Sequence, residues 1–566
     1  MNRKKYLPLL ASCLCLLLPL TAAGADRLRE RVYVATDSEV YVAGDAVWMS
    51  AWCVDATSGL PSGFSKIAYV EVHSQEGMVQ TAKIALENGR GAGRLVLPNT
   101  LPTGNYRLLA YTKQGASEES FDPLTGARTL SVVNTFSTGR VPDGVEVVAR
   151  APAAQTVPGA GRLSIEASDA PTASSTRIRL SNPGTETVSF SLAVRHDDGI
   201  PGPAGQQHIT GFTDALHSLP AARGFDPDVI PEYEGEIIRA HVAGTDEAGR
   251  RALELNSAYI SSPGNGENFY TENLRADGTT TFFTANIYGN PNMFLEIEGV
   301  DKDNVCHLEL ESPFLDLPAG NIPPMQLSAD YADALELRNL GMQLERNFDA
   351  DTLYSELPVT AHRALDRRRC KRYVLDDYTR FTVMQELFIE FIQQIRLRRV
   401  DGRREIQVGT HDATNHLYYS QGRALILLDG IPVPDHDKIL AYDPLLVQYI
   451  DIYDGTYAFG ARTFAGIVNF VTYKGTLPSM QFADNVRIVD FQGCSLPLAY
   501  TCEGVGRDYP DFRQTLYWHP LLTLAPGESV SVECKTPDYG GRFEVRAEGL
   551  TESGEAILSR TSLEVR

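Results

Sequence analysis

Short apolar–polar alternations separated by turn residues recur through the chain, and this rhythm constrains the fold more than any other feature. In the first part, strand-type runs cover residues 32–37, 47–52, 67–72, 93–97 and 106–112. Between them stand Asn88-Gly89-Arg90-Gly91 and Pro102-Thr103-Gly104-Asn105, which are turn sequences. Runs at roughly 8–12-residue spacing predict an antiparallel β-sandwich over residues 26–136. The same signals predict a second sandwich over 140–228, a third over 231–316 and a C-terminal one over 485–566.

Between the third and last sandwiches the pattern changes. Residues 317–364 read as a helical linker, with helical composition from 329 to 346. Residues 379–400 place Met384, Leu387, Phe388, Phe391, Ile392 and Ile395 at three- and four-residue steps, which predicts one amphipathic helix. Arg396, Arg398 and Arg399 would then complement the dipole at its C-terminal turn. A small α/β domain is expected over 365–480. There the turn pair Asp429-Gly430 ends an apolar strand, and Gly455, Gly460 and Gly466 punctuate the next turn, before a final strand over 466–473. Glycine takes positive φ without strain, so three glycines in twelve residues mark a tightly folded loop.

Two family resemblances follow from these residues. The stretches VYVATDSEVYVAGDAVWMSAW and GRGAGRLVLPNTLPTGNYRLLAYT resemble the second macroglobulin-like domain of the alpha-2-macroglobulin family. That resemblance implies a β-turn closed by Tyr41 and Gly44. A CGEQ-like thioester motif is lacking from the sequence, so a covalent protease trap is not implied. Leu428-Asp429-Gly430, the Asp443-Pro444 start of a short segment, and the glycine pattern of 455–475 are similar to the plug of TonB-dependent receptors. The order of modules resembles secreted Bacteroidota envelope proteins. A receptor plug sits in a barrel of about 22 strands, and the 91 residues after Gly475 are expected to be too few for one. A strand is expected within about six residues of the mature start, leaving no room for a TonB-binding box.

Residues 1–25 read as a secretory signal: Arg3, Lys4 and Lys5, an apolar run, then Ala23-Gly24-Ala25. The alternative is a lipoprotein signal ending at Cys13. No later segment is apolar and long enough to be transmembrane. Loss of the three basic signal residues takes the net charge from −21 to −24, which excludes the basic footprint of a nucleic-acid binder. Six cysteines remain, and Cys494 with Cys502 is the expected disulfide in an oxidising compartment.

No catalytic, cofactor or metal constellation emerges. His411 and His416 lack HExxH spacing, and Asp435, His436 and Asp437 read as a solvated loop. The expected fold class is a mostly β multidomain protein of stacked Ig-like or macroglobulin-like β-sandwiches with one small α/β plug-like domain. The expected function is a non-enzymatic binding or scaffold protein, exported to the periplasm or outer membrane. Its partners would be outer-membrane or periplasmic proteins, a TonB-dependent barrel among them. The alternatives are an accessory component of a TonB-dependent transport system and an uncharacterised hydrolase.

Overall fold

A computed structural model describes residues 28–566 apart from 138–141, 143, 150–160, 265–267, 301–305, 349–353, 360–369, 401, 412, 413, 415, 420 and 502–508. The signal region and Cys502 therefore lie outside the described residues. The architecture is mostly β, as the alternation predicts, and is divided among many small sheets.

In the first unit, Glu30–Thr36, Ala46–Asp55 and Arg90–Val96 form one sheet, and five strands from Val40–Val42 to Arg128–Val133 form the other. All seven residues of Glu30–Thr36 are buried because both faces of the strand are covered. Successive side chains point to opposite faces. Val32 and Val34 enter the core of this unit, while Tyr33 and Ala35 pack with Phe212, Leu550 and Leu558 from outside it. A turn is present one residue along from the one expected, closed by Val42 and Asp45: Gly44 has φ +100°, and Asp45 N–H donates to the Val42 carbonyl at 3.1 Å.

The sandwiches expected over 140–228 and 485–566 share their sheets. Ser164–Ala167 and Ser175–Ser181 pair onward to Ser529–Lys535. Val188–His196 lies between Thr515–Leu524 and Gly541–Thr551, with Ala556–Val565 at the edge. Ile178, Phe190 and Leu192 from the early segment and Leu516, Phe543 and Val545 from the late one fill one core. The physical reason is coverage: three early strands have too little apolar area to close a two-layer core. The third unit is completed in the same way, since Arg487–Asp490 extends the sheet of Asn292–Ile297.

Ala332–Phe348 is a helix, as the composition predicts. The single helix expected over 379–400 is instead a short helix, Met384–Glu390, followed by the strand Ile395–Val400. The helical spacing stops at Phe391. From Ile395 the exposed Arg396 and Arg398 alternate with buried Ile395 and half-buried Leu397, which is a strand period. Arginine is a good helix former, and that hid the change.

Residues 370–477 build a five-stranded sheet in the order Cys370–Val374, Val447–Phe459, Arg462–Thr472, Leu425–Leu428, Ile431–Pro432. Leu425–Leu428 runs parallel to Arg462–Thr472, and the other pairs are antiparallel. A second sheet, Ile395–Val400, Arg403–His411 and Leu417–Tyr419, packs on it through Ile395, Ile406 and Val408.

Candidate functional site: the motif turn and a charged cleft

Asp429 occupies the turn after Leu425–Leu428 with φ +47°, a left-handed conformation that Asp tolerates better than most residues. Its buried carboxylate accepts from Thr472 N–H at 2.7 Å, Thr472 Oγ1 at 2.7 Å and Leu477 N–H at 2.8 Å. Gly430, at φ +84°, donates its N–H to Asn469 Oδ1 at 3.2 Å. The turn thus staples the end of one strand to the chain leaving its parallel neighbour.

The three spaced glycines do not mark one tight loop: Gly455 lies inside the strand Val447–Phe459 and Gly466 inside Arg462–Thr472, and Gly460 alone is at the hairpin tip. Gly455 falls at a break in register between Tyr453 and Thr456. At Gly466 a Cβ would lie 2.5 Å from Val408 Cβ, so this glycine lets the two sheets close. At Gly460, φ is +47° and a Cβ would lie 1.8 Å from the Thr271 carbonyl oxygen in the third unit. Gly460→Ala is expected to lift the hairpin tip off that unit at about 1–3 kcal/mol. Faster amide exchange in the strand Phe269–Asn273, with the sheet of 370–477 still protected, is the result to look for.

Cys494 is a buried free thiol whose pKa is raised by burial, and its expected partner Cys502 lies outside the described residues. His411 pairs in register with Leu417 at the end of a strand. Asp435, His436 and Asp437 do not form the solvated loop the sequence suggests. Asp435 caps the short helix His436–Leu440, and His436 is buried, accepting from Ile406 N–H at 3.0 Å. A side chain alternating with polar neighbours gave no sign that its imidazole anchors a distant strand.

A cleft of about 810 Å³ opens where the first unit, the shared sandwich and the helix Ala332–Phe348 meet. Its walls carry opposite charges in pairs. Arg195 Nη1 binds Asp37 Oδ2 at 2.9 Å, and Arg338 grips Asp198 through Nε at 2.5 Å and Nη2 at 3.0 Å. Burial pushes the Asp198 carboxyl up, but Arg338 outweighs it and the net shift is downward. Behind the wall, Arg128 Nη1 stands 3.6 Å from Glu548 Oε1 and Arg128 Nη2 is 3.4 Å from Glu39 Oε1. Tyr33 Oη donates to Glu548, as does Ile209 N–H at 3.0 Å. Burial raises the Glu548 pKa, yet Arg128 and Arg546 pull it down to about 2.

Several donors at this cleft have no hydrogen-bond partner among the described residues: Nε and Nη2 of Arg560, and Nε2 of Gln206. These atoms are covered by protein, and the walls carry carboxylates as well as cations, so the cleft presents balanced rather than one-signed charge. The contributing residues lie far apart in sequence, between Asp37 and Arg560, so no local motif announces the cleft. Arg546 and Glu548 alternate with the core residues Phe543, Val545 and Ala547, so the strand pattern reads them as an outward polar face and gives no hint that this face is covered.

Burial pushes His208 down to about 4 and His436 down to about 3, from an ordinary 6.5. Both are neutral when folded, and the unfolded chain takes up their protons first as pH falls. Their contribution is complete above about pH 6.5 and is lost as pH falls toward their folded values. The loss is on the order of 3 kcal/mol for His208. The denaturation midpoint is therefore expected to fall between about pH 6.5 and pH 4, and a flat midpoint there would contradict the burial of both imidazoles.

Among the described residues, no His, Cys, Asp and Glu group is arranged to hold a metal, and no helix is long and apolar enough to cross a membrane. No family model and no curated protein matches the chain. Among solved structures, trypsin-activated alpha-2-macroglobulin from Escherichia coli aligns at 8% identity and a TM-score of 0.24, covering 96% of this chain and 42% of that one. A Salmonella alpha-2-macroglobulin mutant aligns at 9% identity and 0.23, covering 96% and 40%. The Escherichia coli adhesin FdeC aligns at 14% identity and 0.14, covering 49% and 61%. The chain thus spans about two fifths of the length of these macroglobulins. Superposition this loose leaves the mostly β architecture resting on the sheets themselves.

Proposed function

We propose that the chain is a non-enzymatic binding scaffold of the cell envelope, with residues 365–480 as a plug-like docking module and the β-sandwich units as its supporting frame. One observation carries the reading: the junctions between units are fastened by charged and polar groups taken out of water. Lys83 of the first unit binds Glu236 of the third at 2.5 Å, with their side chains 1% and 2% exposed. Arg338 of the helix holds Asp198 of the shared sandwich. Arg423 and Arg462 of the plug-like module meet Glu298 of the third unit at a junction that stays partly open to water. Buried pairs add little net stability, but breaking one by removing a partner is costly, so units joined through them separate only at a penalty. A frame fixed in this way keeps distant surfaces in register, which suits a protein that holds partners.

The exported location rests on the signal-like N-terminus, and the docking role rests on the Leu428-Asp429-Gly430 turn and the glycine pattern. The test is chemical cross-linking in native envelopes followed by isolation of the tagged chain. A reproducible outer-membrane or periplasmic protein partner is expected. Isolation of the chain alone, with a cross-linking control complex recovered in the same sample, would overturn the reading.

A further inference from the structure

The hairpin Ile395–Val400 and Arg403–His411 concentrates positive charge in an acidic chain. Arg396, Arg398, Arg399, Arg403 and Arg404 are all exposed, in a protein with 72 acidic and 51 basic residues. Their partners are mostly neutral. Arg396 stacks on Tyr419 at 4.0 Å and donates to Gln407 at 2.9 Å, while Arg398 donates to Gln421 at 3.1 Å. Asp437 pairs with Arg404 at 2.6 Å, and Glu405 stands opposite Arg398 in the register. Arg399 faces Arg404 directly across the strands, an arrangement that destabilises an isolated hairpin. Sheet order leaves Ile395–Val400 at an edge, with no strand on its outer side among the described residues.

We propose that this edge binds an extended acidic segment of a partner protein as an added strand. Arg396 and Arg398 are two residues apart on one face, so they sit about 6.6–6.8 Å apart along the strand. Carboxylates on every second residue of an extended peptide repeat at the same distance. The edge offers main-chain hydrogen bonds for affinity, and the arginines select the sequence. A planar guanidinium held by a neutral ring or amide keeps its charge for an incoming carboxylate, which it can bind with two hydrogen bonds. An anionic membrane would use the charge without needing the spacing or the open edge, so the acidic strand is the favoured occupant. This reading deepens the docking role proposed for residues 365–480 and rests on it.

The test uses the intact protein and a fluorescent alternating Thr-Glu peptide of about ten residues, read by anisotropy. Binding that weakens with salt is expected, with a loss of about tenfold or more in Arg396→Glu/Arg398→Glu. Because both side chains are exposed, an unchanged thermal midpoint checks that the variant folds, and Arg396→Gln/Arg398→Gln gives a milder loss. A peptide N-methylated at alternate residues cannot complete the ladder and should also bind about tenfold more weakly. Three results would overturn the proposal: no binding of the Thr-Glu peptide, in which case the arginines only guard the edge against aggregation; equal binding of the N-methylated peptide; or tighter binding to phosphatidylglycerol vesicles than to the peptide. If the peptide fails while a partner is still recovered from envelopes, the hairpin reading falls and the scaffold reading stands.

Discussion

Glu548→Gln is expected to destabilise the protein by about 3–5 kcal/mol, because it strands buried cations rather than deleting a weak surface pair. Glu548 is 1% exposed and stands within reach of Arg128, Arg546, His208 and the Tyr33 hydroxyl. Glutamine keeps the shape and removes the charge. Arg128, itself fully buried, is then left with Glu39 at 3.4 Å as its acidic partner. The variant also changes the acid response. In the parent, the carboxyl titrates at about 2 when folded and near 4.5 otherwise, so its contribution is complete above about pH 4.5 and is lost as pH falls through 2. Glu548→Gln should lose that segment of the pH profile. Denaturation midpoints of both proteins between about pH 5 and pH 2 check the claim; parallel profiles would contradict it.

Asp429→Val is expected to cost about 4 kcal/mol or more and to unfold the sheet of residues 370–477 first. A β-branched residue at φ +47° is strained, and valine leaves the N–H groups of Thr472 and Leu477 buried without their acceptor. Asp429→Asn keeps tolerance of the left-handed turn and one acceptor oxygen. Its amide must then face a donor on the other side, so a smaller loss of about 1–2 kcal/mol is expected. Limited proteolysis within 370–477, compared with the shared sandwich, reads the order: the valine variant should be cut there first. Equal stability of the two variants would show that the turn depends on neither the bonds nor the conformation.

Local signals were legible and long-range ones were not. The alternation at Val32 to Trp52 and the turn at Gly44 could be read because each depends on residues a few positions apart. So could the Asp429-Gly430 turn. The need for glycine at 460 and 466 could not, because it comes from Thr271 and Val408, far away in the chain. Joining of the second and last sandwiches was not legible. Ser175 pairs with Lys535 in the register, and nothing in either strand names a partner so far along the chain. Burial of His436 was missed for a similar reason, since its partner Ile406 comes from another strand. The strand at Ile395–Val400 was hidden by residues that suit either period: a helical stripe ran into an alternating one without a break. The charged cleft was invisible because its arginines and carboxylates come from three separate units.

Hydrogen exchange read by mass spectrometry on the intact protein tests the fixed-frame account most directly. If the frame is one body, peptides from Ser175–Ser181 and Ser529–Lys535 should lose protection together in rising denaturant, because each strand completes the other's sheet. The segments carrying Lys83 and Glu236 should open with the same dependence on denaturant, because their ion pair fastens two units. Independent opening of the early and late strands, or of the first and third units well below the main transition, would contradict the account.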